Sequence, residues 1–431
     1  MIRAWRRFSR WEAEAVELPG VPTAVLATLQ SAARERGIGR LALVGGAVRD
    51  ALLHHQHRDP WRGLPDLDLV VEGSAPELAE ALRQTCGPQR VPELRAHGAY
   101  GTVELVLDGV LLDLAGARQE HYPAPAENPV VQPGPLELDL ARRDFTVNAM
   151  ALDLPLRDTS EPPRLLDPHG GQQHLAQRQL AFLHAGSVAD DPTRVFRAAR
   201  YAARLGFSLA PEAMQQVNTT LQRWPWRWRH GDPPDQAPPA LATRLRMELA
   251  LLLTREPWRR ALHHLQHWGA LALLDPSLQA NQRLARQLIQ AGRLGLPLLL
   301  AVVARAGDPV ALAARLQLPL QQQRDLAQHT ALLRWIHDEA AASQRATWSA
   351  LEWTQALEER HCSADAVALA ACGLLADQNP SWRPLLRWWG RWRHLKPPLT
   401  ARQLIARGWQ PGPALGAELE RLRRQALAAM G

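Results

Sequence analysis

The sequence predicts an α+β protein: an α/β head built on a mixed sheet with helices, followed by an all-helical remainder. Three observations carry this. Short β-rich runs alternate with helical ones up to about residue 155. From Asp190 onward the strand signals stop, and Ala/Leu/Arg-rich helical periodicity continues to the end. The charge divides in much the same way, with 23 basic and 27 acidic side chains (net −4) in 1–220 and 27 basic and 16 acidic (net +11) in 221–431. An acidic head suits metal ions, and a basic remainder suits a polyanion.

Taken in order, amphipathic spacing predicts a helix near 23–35, and the apolar run 41–44 predicts a buried strand. Leu-Val-Gly-Gly-Ala-Val-Arg-Asp at 43–50 ends that strand in Gly45-Gly46 and opens a helix near 47–55, which points backbone N–H groups at any anion bound there. Asp-Leu-Asp-Leu-Val-Val at 66–71 is a β-branched strand over 67–71 whose alternation puts Asp66 and Asp68 on one face. A helix near 75–85 and strands at 102–107 and 110–114 follow, the last carrying Asp113 between Leu112 and Leu114. Carboxylates beside a glycine turn are the donor set for a divalent cation carrying a nucleoside triphosphate, with Asp66 and Asp68 as ligands and Asp113 completing the group. A lone Asp-x-Asp is equally a solvated strand edge; the neighbouring Gly-Gly turn makes it more specific.

The length of 431 residues and 46% hydrophobic content allow two to four domains. No stretch approaches the roughly 20 apolar residues of a membrane span, and the start, with Arg3, Arg6, Arg7 and Arg10, lacks an apolar signal core, so a soluble, cytoplasmic protein is expected. Cys86, Cys362 and Cys372 are scattered, without the spacing of a zinc site or a disulfide framework.

Further motifs follow. Arg142-Arg143-Asp144 with Asn148 can engage phosphate oxygens and a ribose hydroxyl, or form an ion-paired helix start. Asp190-Asp191-Pro192-Thr193-Arg194 opens a long helix containing Arg197, Arg200 and Arg204, with proline suited to the first turn. Asp191 and Arg194 lie one turn apart and offer an acceptor edge and a donor fork, as a base's Watson–Crick edge requires, or a local salt bridge. The Trp/Pro-rich segment 223–240 interrupts the helical part as a loop or linker. Its Arg223, Trp224, Trp226, Arg227 and Trp228 can stack on RNA bases and pair with phosphates, or the tryptophans can cap a core.

Gly-Gly-Ala-Val-Arg-Asp (45–50), Asp-Leu-Asp (66–68), Arg-Arg-Asp-Phe-Thr-Val-Asn-Ala (142–149), Asp-Pro-His-Gly-Gly (167–171) and the 190–207 segment, in this order and spacing, resemble the class II tRNA nucleotidyltransferase and bacterial poly(A) polymerase family. The match is dense over roughly 41–210 and sparse beyond, where Arg244, Glu248 and the 408–416 segment correspond to later motifs. The resemblance implies a nucleotidyltransferase head (1–155), a helical neck that recognises the base (156–255), and a basic body and tail (256–431) that binds tRNA. It implies Mg²⁺ on Asp66 and Asp68, triphosphate on Gly45, Gly46 and Arg49, ribose and phosphate on Arg142, Arg143, Asp144 and Asn148, and base pairing with Asp191 and Arg194, with Arg197 and Arg200 alongside. CTP and ATP are the implied substrates, and the oligomeric state is left open. Two departures stand out: Asp190 replaces the family's usual Glu, and 223–240 looks inserted. The same motifs serve CCA-adding, CC-adding, A-adding and poly(A)-adding enzymes. The 28 residues between Asp113 and Arg142 argue against CC-only addition, because CC-restricted members tend to have a shortened loop there. A catalytically silent RNA-binding protein is disfavoured by the intact carboxylates and glycines.

Overall fold

In the computed structural model of the chain, the residues described are 21–63, 66–98, 101–157, 161–338, 345 and 347–430. The chain forms two compact units, Met1–Trp226 and Arg227–Gly431, so the division falls inside the Trp/Pro-rich segment.

The first unit is built on a seven-stranded mixed sheet. Its centre is β1 (Leu41–Val44), buried at every position because both faces are covered. One cover is α4 (Leu136–Ala141), whose Leu136 and Leu140 pack with Ala42, Val44, Val70 and Ala151. Antiparallel neighbours of β1 are β2 (Leu67–Val71) and β8 (Ala151–Leu154). Beyond β2 lie β5 (Val110–Gly116), β4 (Thr102–Leu107) and β3 (Leu94–His97); beyond β8 lies β9 (Arg164–Leu166), giving the order β3-β4-β5-β2-β1-β8-β9. Only the β2–β5 pairing is parallel. In β4 the alternation buries Val103, Leu105 and Leu107, and α3 (Ala75–Arg90) packs on these strands with Leu78 and Leu82 buried. Its start is set by Ser74, whose hydroxyl accepts from Glu77 N at 3.3 Å.

The expected helices and strands up to residue 116 are present: α1 spans Thr23–Glu35 and α2 spans Gly46–His57. The sheet, however, continues past residue 155 to Leu166. That last strand is three residues long and flanked by Pro163 and Pro168, too short to register as alternation. The connection between Asp113 and Arg142 is also structured, as a separate ribbon of β6 (Arg118–His121) and β7 (Val130–Pro133). After the sheet come α5 (Gly171–Ala176), α6 (Ser187–Asp190), α7 (Thr193–Leu205) and α8 (Pro211–Arg223). Strand pairing has not quite ended at Asp190: the two-residue strands Gln179–Leu180 and Ser208–Leu209 pair in parallel.

The second unit is helical, with no strand among the described residues. Its centre is the apolar helix Ala364–Ala376, started by Ser363 and buried around most of its circumference. Val367 and Leu374 of that helix pack with Leu332, Trp353, Leu357, Leu385, Trp388 and Trp392. No described helix is long and apolar enough to cross a membrane.

Candidate active site

The site forms where β1 turns into α2. Gly45 has φ +72°, and a Cβ there would lie 3.0 Å from Asp68 Oδ2 and 3.3 Å from Arg143 Nη1. Both the left-handed backbone and the close approach of these side chains require glycine. Gly46 then opens α2, whose first N–H groups have no helical partner.

The β2–β5 register puts Asp68 directly beside Asp113, and β4 puts Glu104 beside Asp113 on the other side. Neighbouring strands are about 4.8 Å apart, so this is a row of carboxylates across the sheet. Asp66, exposed just before β2, acts electrostatically on both Asp68 and Asp113. Burial pushes Asp68 up to about 6; Arg143 pulls it back, and Asp113 and Asp66 push it further. Asp113 is likewise raised, by burial first and then by Asp66 and Glu104. Repulsion of this kind is what a divalent cation relieves. Among the described residues no three His, Cys, Asp or Glu side chains form a ready cage. Two carboxylates with the remaining positions left to water and phosphate oxygens is the arrangement Mg²⁺ favours, and Asp66 and Asp68 fit it.

The cationic side comes from the end of α4. Asp139 is fully buried; its Oδ1 accepts from Arg142 Nε (2.9 Å) and Nη2 (2.7 Å), and its Oδ2 accepts from Arg143 Nη2 (2.9 Å). The two arginines then diverge. Arg142 Nη1 donates to Glu120 Oε1 at 3.0 Å, which spends its guanidinium on tying the β6–β7 ribbon to α4. That is the ion-paired one of the two readings of this motif. Arg143 lies against Gly45 and has a buried Nε without a partner.

A buried chain joins α2 to α7. Arg49 Nη1 donates to Asn148 Oδ1 (2.7 Å), Asn148 Nδ2 donates to Asp144 Oδ1 (3.0 Å), and Asp144 Oδ2 accepts from Arg197 Nε (2.8 Å) and Nη2 (2.7 Å). Burial pushes the Asp144 carboxyl upward, but the Arg197 charge and the bonds from Asn148 and Arg197 outweigh it and hold it below its usual range. The Tyr201 ring lies beneath Arg49 and Arg197, with centroid distances of 5.3 and 5.9 Å. The Asp-Pro-His-Gly-Gly motif supports this chain from behind. Asp167 accepts from Gly171 N (2.6 Å) and Gln172 N (2.9 Å), and Gly171 packs against Thr146 and Met150.

Asp191 and Arg194 are both buried at the start of α7. Asp191 Oδ1 accepts from Thr193 N (3.1 Å) and Oγ1 (2.6 Å), while Arg194 Nη2 donates to the Arg142 carbonyl at 3.0 Å. Arg200 is half-buried further along α7. The structure thus gathers Gly45, Gly46, Asp68, Asp113 and Arg143 in one cluster, with Arg49, Asn148, Asp144 and Arg197 joined to it.

In the tryptophan segment the packing is that of the core-capping reading. Trp226 and Trp228 are buried, their indole N–H groups donating to Ala189 O (2.8 Å) and Pro233 O (3.1 Å). Their faces are taken up by protein: Trp224 meets Trp226 edge-on at 4.9 Å, and Arg315 lies 4.5 Å over Trp228. Of the five candidate residues, Arg223 and Arg227 are exposed and Trp224 is half-buried. Sequence reasoning also missed Asp139, Glu104 and Tyr201. For Asp139 a signal existed, its spacing of three and four residues before the tandem arginines.

Residues 41–181 match the family described as Poly A polymerase head domain. Over 389 residues the chain is 37% identical to the CC-adding tRNA nucleotidyltransferase of Deinococcus radiodurans, covering 89% of this chain and 83% of that protein. The chain belongs to the tRNA nucleotidyltransferase and poly(A) polymerase family. A second relative is the A-adding tRNA nucleotidyltransferase of Aquifex aeolicus, 41% identical over 171 residues, which cover 40% of this chain but only 19% of that protein. Among solved structures, a CCA-adding enzyme in its apo form II superposes with a TM-score of 0.67 at 22% identity, covering 95% of this chain and 92% of that one. At that identity the likeness establishes the fold: a nucleotidyltransferase head followed by helices.

Proposed function

We propose that the chain is a cytoplasmic, template-independent nucleotidyltransferase that adds C and/or A to the 3′ end of tRNA from CTP and ATP, as a CCA-adding or A-adding enzyme. The observation that carries the reading is the convergence of the Asp66, Asp68 and Asp113 carboxylates, with Asp68 and Asp113 side by side across β2 and β5, next to the Gly45 turn and the half-satisfied Arg143. In the reaction, the RNA 3′-hydroxyl oxygen bonds to the α-phosphorus, the bond from that phosphorus to the bridging oxygen breaks, and pyrophosphate leaves. Asp66 and Asp68 would hold Mg²⁺, which when bound supplies positive charge to the phosphates and to the attacking hydroxyl.

The N–H groups after Gly45 and Gly46, with Arg49 and Arg143, cradle the triphosphate. Asp144, Asn148 and Arg197 position Arg49, and Asp191 and Arg194 present the edge that reads the base. A wrong base leaves those buried groups unpaired, which is the costly outcome that creates selectivity. The basic surplus of 221–431 supports tRNA binding by the body and tail.

The test is incubation with transcripts ending before CCA, after C and after CC, with CTP alone, ATP alone, or both. Growth to CCA, or A addition confined to transcripts ending in CC, supports the proposal; long adenosine tails point to poly(A) synthesis. No extension under any condition with Mg²⁺ present refutes it. CC-only addition is a second reading, favoured by one observation: the CC-adding relative aligns along 89% of this chain, the A-adding one along 40%.

A further inference from the structure

Asp191 and Arg194 can read a base edge only if the turn before them is rigid and fixed in place; internally it is closed by Ser187 N donating to His184 O (3.1 Å) and Asp190 N to Gly186 O (2.9 Å). Residues 184–190 include the short helix α6 (Ser187–Asp190) and the small residues Ala185, Gly186 and Ala189. Arg194 depends on this turn, since its Nη1 donates to Ser187 O at 3.4 Å and lies 3.5 Å from His184 Nε2. The turn is held from outside. Ala126 N donates to Asp190 O at 3.0 Å, and Gln216 Nε2 on α8 donates to the carbonyls of His184 (2.9 Å) and Ala185. A further hold is Trp226, 2% exposed, whose Nε1 donates to Ala189 O at 2.8 Å.

We infer that Trp226 is a positioning residue for base selection: it and Gln216 fix the 184–190 turn on which Arg194 rests. Trp226 belongs to the Trp/Pro-rich segment 223–240, and its role there is that of a strut inside the first unit. Base discrimination depends on the placement of a few buried donors and acceptors to within about half an ångström. One lost hydrogen bond on the turn is therefore expected to degrade selection without touching the carboxylates. The inference rests on the proposed base-reading role of Asp191 and Arg194.

The test compares Trp226→Phe, which keeps a ring and removes the donor, with Gln216→Ala and with Arg194→Ala. Incorporation of each of the four nucleotides is measured on a tRNA transcript lacking its 3′ end, together with affinity for that transcript and thermal midpoint. The expected result is that Trp226→Phe and Gln216→Ala each lower the ratio of correct to incorrect kcat/KM about fivefold, the scale of one hydrogen bond, with tRNA affinity unchanged. If Trp226→Phe does not fold, Gln216→Ala alone decides. Unchanged discrimination in the folded variants, or a loss of tRNA affinity in its place, overturns the strut. If Arg194→Ala leaves base choice intact, the base-reading assignment itself fails and the strut with it; if only Arg194→Ala relaxes selection, the strut alone is wrong.

Discussion

Replacing Asp68 by asparagine should abolish incorporation and yet stabilise the metal-free protein. Burial pushes the Asp68 carboxyl from an ordinary value near 3.8 up to about 6. At neutral pH the side chain is therefore ionised in a place that disfavours its charge. Roughly two units at 1.36 kcal/mol each give a penalty of at most about 3 kcal/mol. Relaxation and the hydrogen-bonding needs of the new amide reduce the expected gain to about 1–2 kcal/mol. Because the folded state holds the proton more tightly than the unfolded state, the stability of the wild-type protein falls as pH rises from about 4 through 6. The Asp68→Asn variant lacks that fall, so its advantage opens across this window and is constant above it. Chemical denaturation in EDTA at pH 4, 6 and 8, followed by tryptophan fluorescence and paired with an incorporation assay, measures both sides. Added Mg²⁺ should stabilise the wild-type protein by mass action and close the gap, with much less effect on the variant. A variant that is inactive and less stable than wild type at pH 8 without metal would refute the reasoning, since Asp68 would then be a satisfied structural residue.

Gly45→Ala meets both a positive φ and a Cβ 3.0 Å from Asp68 Oδ2; a loss of about 1–3 kcal/mol with at least a hundredfold drop in incorporation, on the order of 10²-fold for a 1 Å misplacement, is expected from denaturation and initial-rate measurements. Gly171→Ala is not strained in φ but drives a methyl into Thr146 O and Met150, and should cost about 1–3 kcal/mol in the same denaturation assay. Arg142→Ala takes one partner from the buried Asp139, which keeps Arg143, and one from the half-buried Glu120, which keeps Arg118. It should lower stability by about 3 kcal/mol while changing the KM for CTP or ATP less than Arg143→Ala does; the opposite ranking would return Arg142 to the nucleotide.

Much of the head was legible because its central strands and the turn signals around them are local. The run 41–44 ending in two glycines and the strand at 102–107 each announce themselves within a few residues. Asp66, Asp68 and Asp113 were each visible as acidic residues on or beside strands. Asp113 could be named as completing the metal group, but its place directly beside Asp68 could not, because β2 and β5 pair in parallel across 38 intervening residues and register between distant strands leaves no local trace. The ribbon β6–β7 was hidden for a different reason: it is mostly exposed, so Arg118–His121 and Val130–Pro133 lack an apolar face. Arg142 and Trp226 each carried two readings, because residue type alone does not choose between them. An arginine in a tandem pair and a tryptophan among arginines both belong to nucleic-acid sites, but a buried carboxylate or carbonyl nearby claims such donors first.

The buried chain from Arg49 through Asn148 and Asp144 to Arg197 constrains how two different bases can use one site. It links the helix that begins at the Gly45-Gly46 turn to the helix that begins beside Asp191 and Arg194. Arg194 also donates to the carbonyl of Arg142, the residue before Arg143. The proposed phosphate cradle and base edge are thus two ends of one bonded framework passing through 142–148. Every member of the chain except Arg197 is buried, and each is hydrogen-bonded, so flipping one side chain to suit a second base would strand a polar group at a cost of about 1–3 kcal/mol. An enzyme of this design that accepts both cytosine and adenine would therefore shift the start of α7 as a unit against the cradle. The elements able to permit or oppose that shift are those bonded to the 184–190 turn from outside: the ribbon tip at Ala126, Gln216 and Trp226.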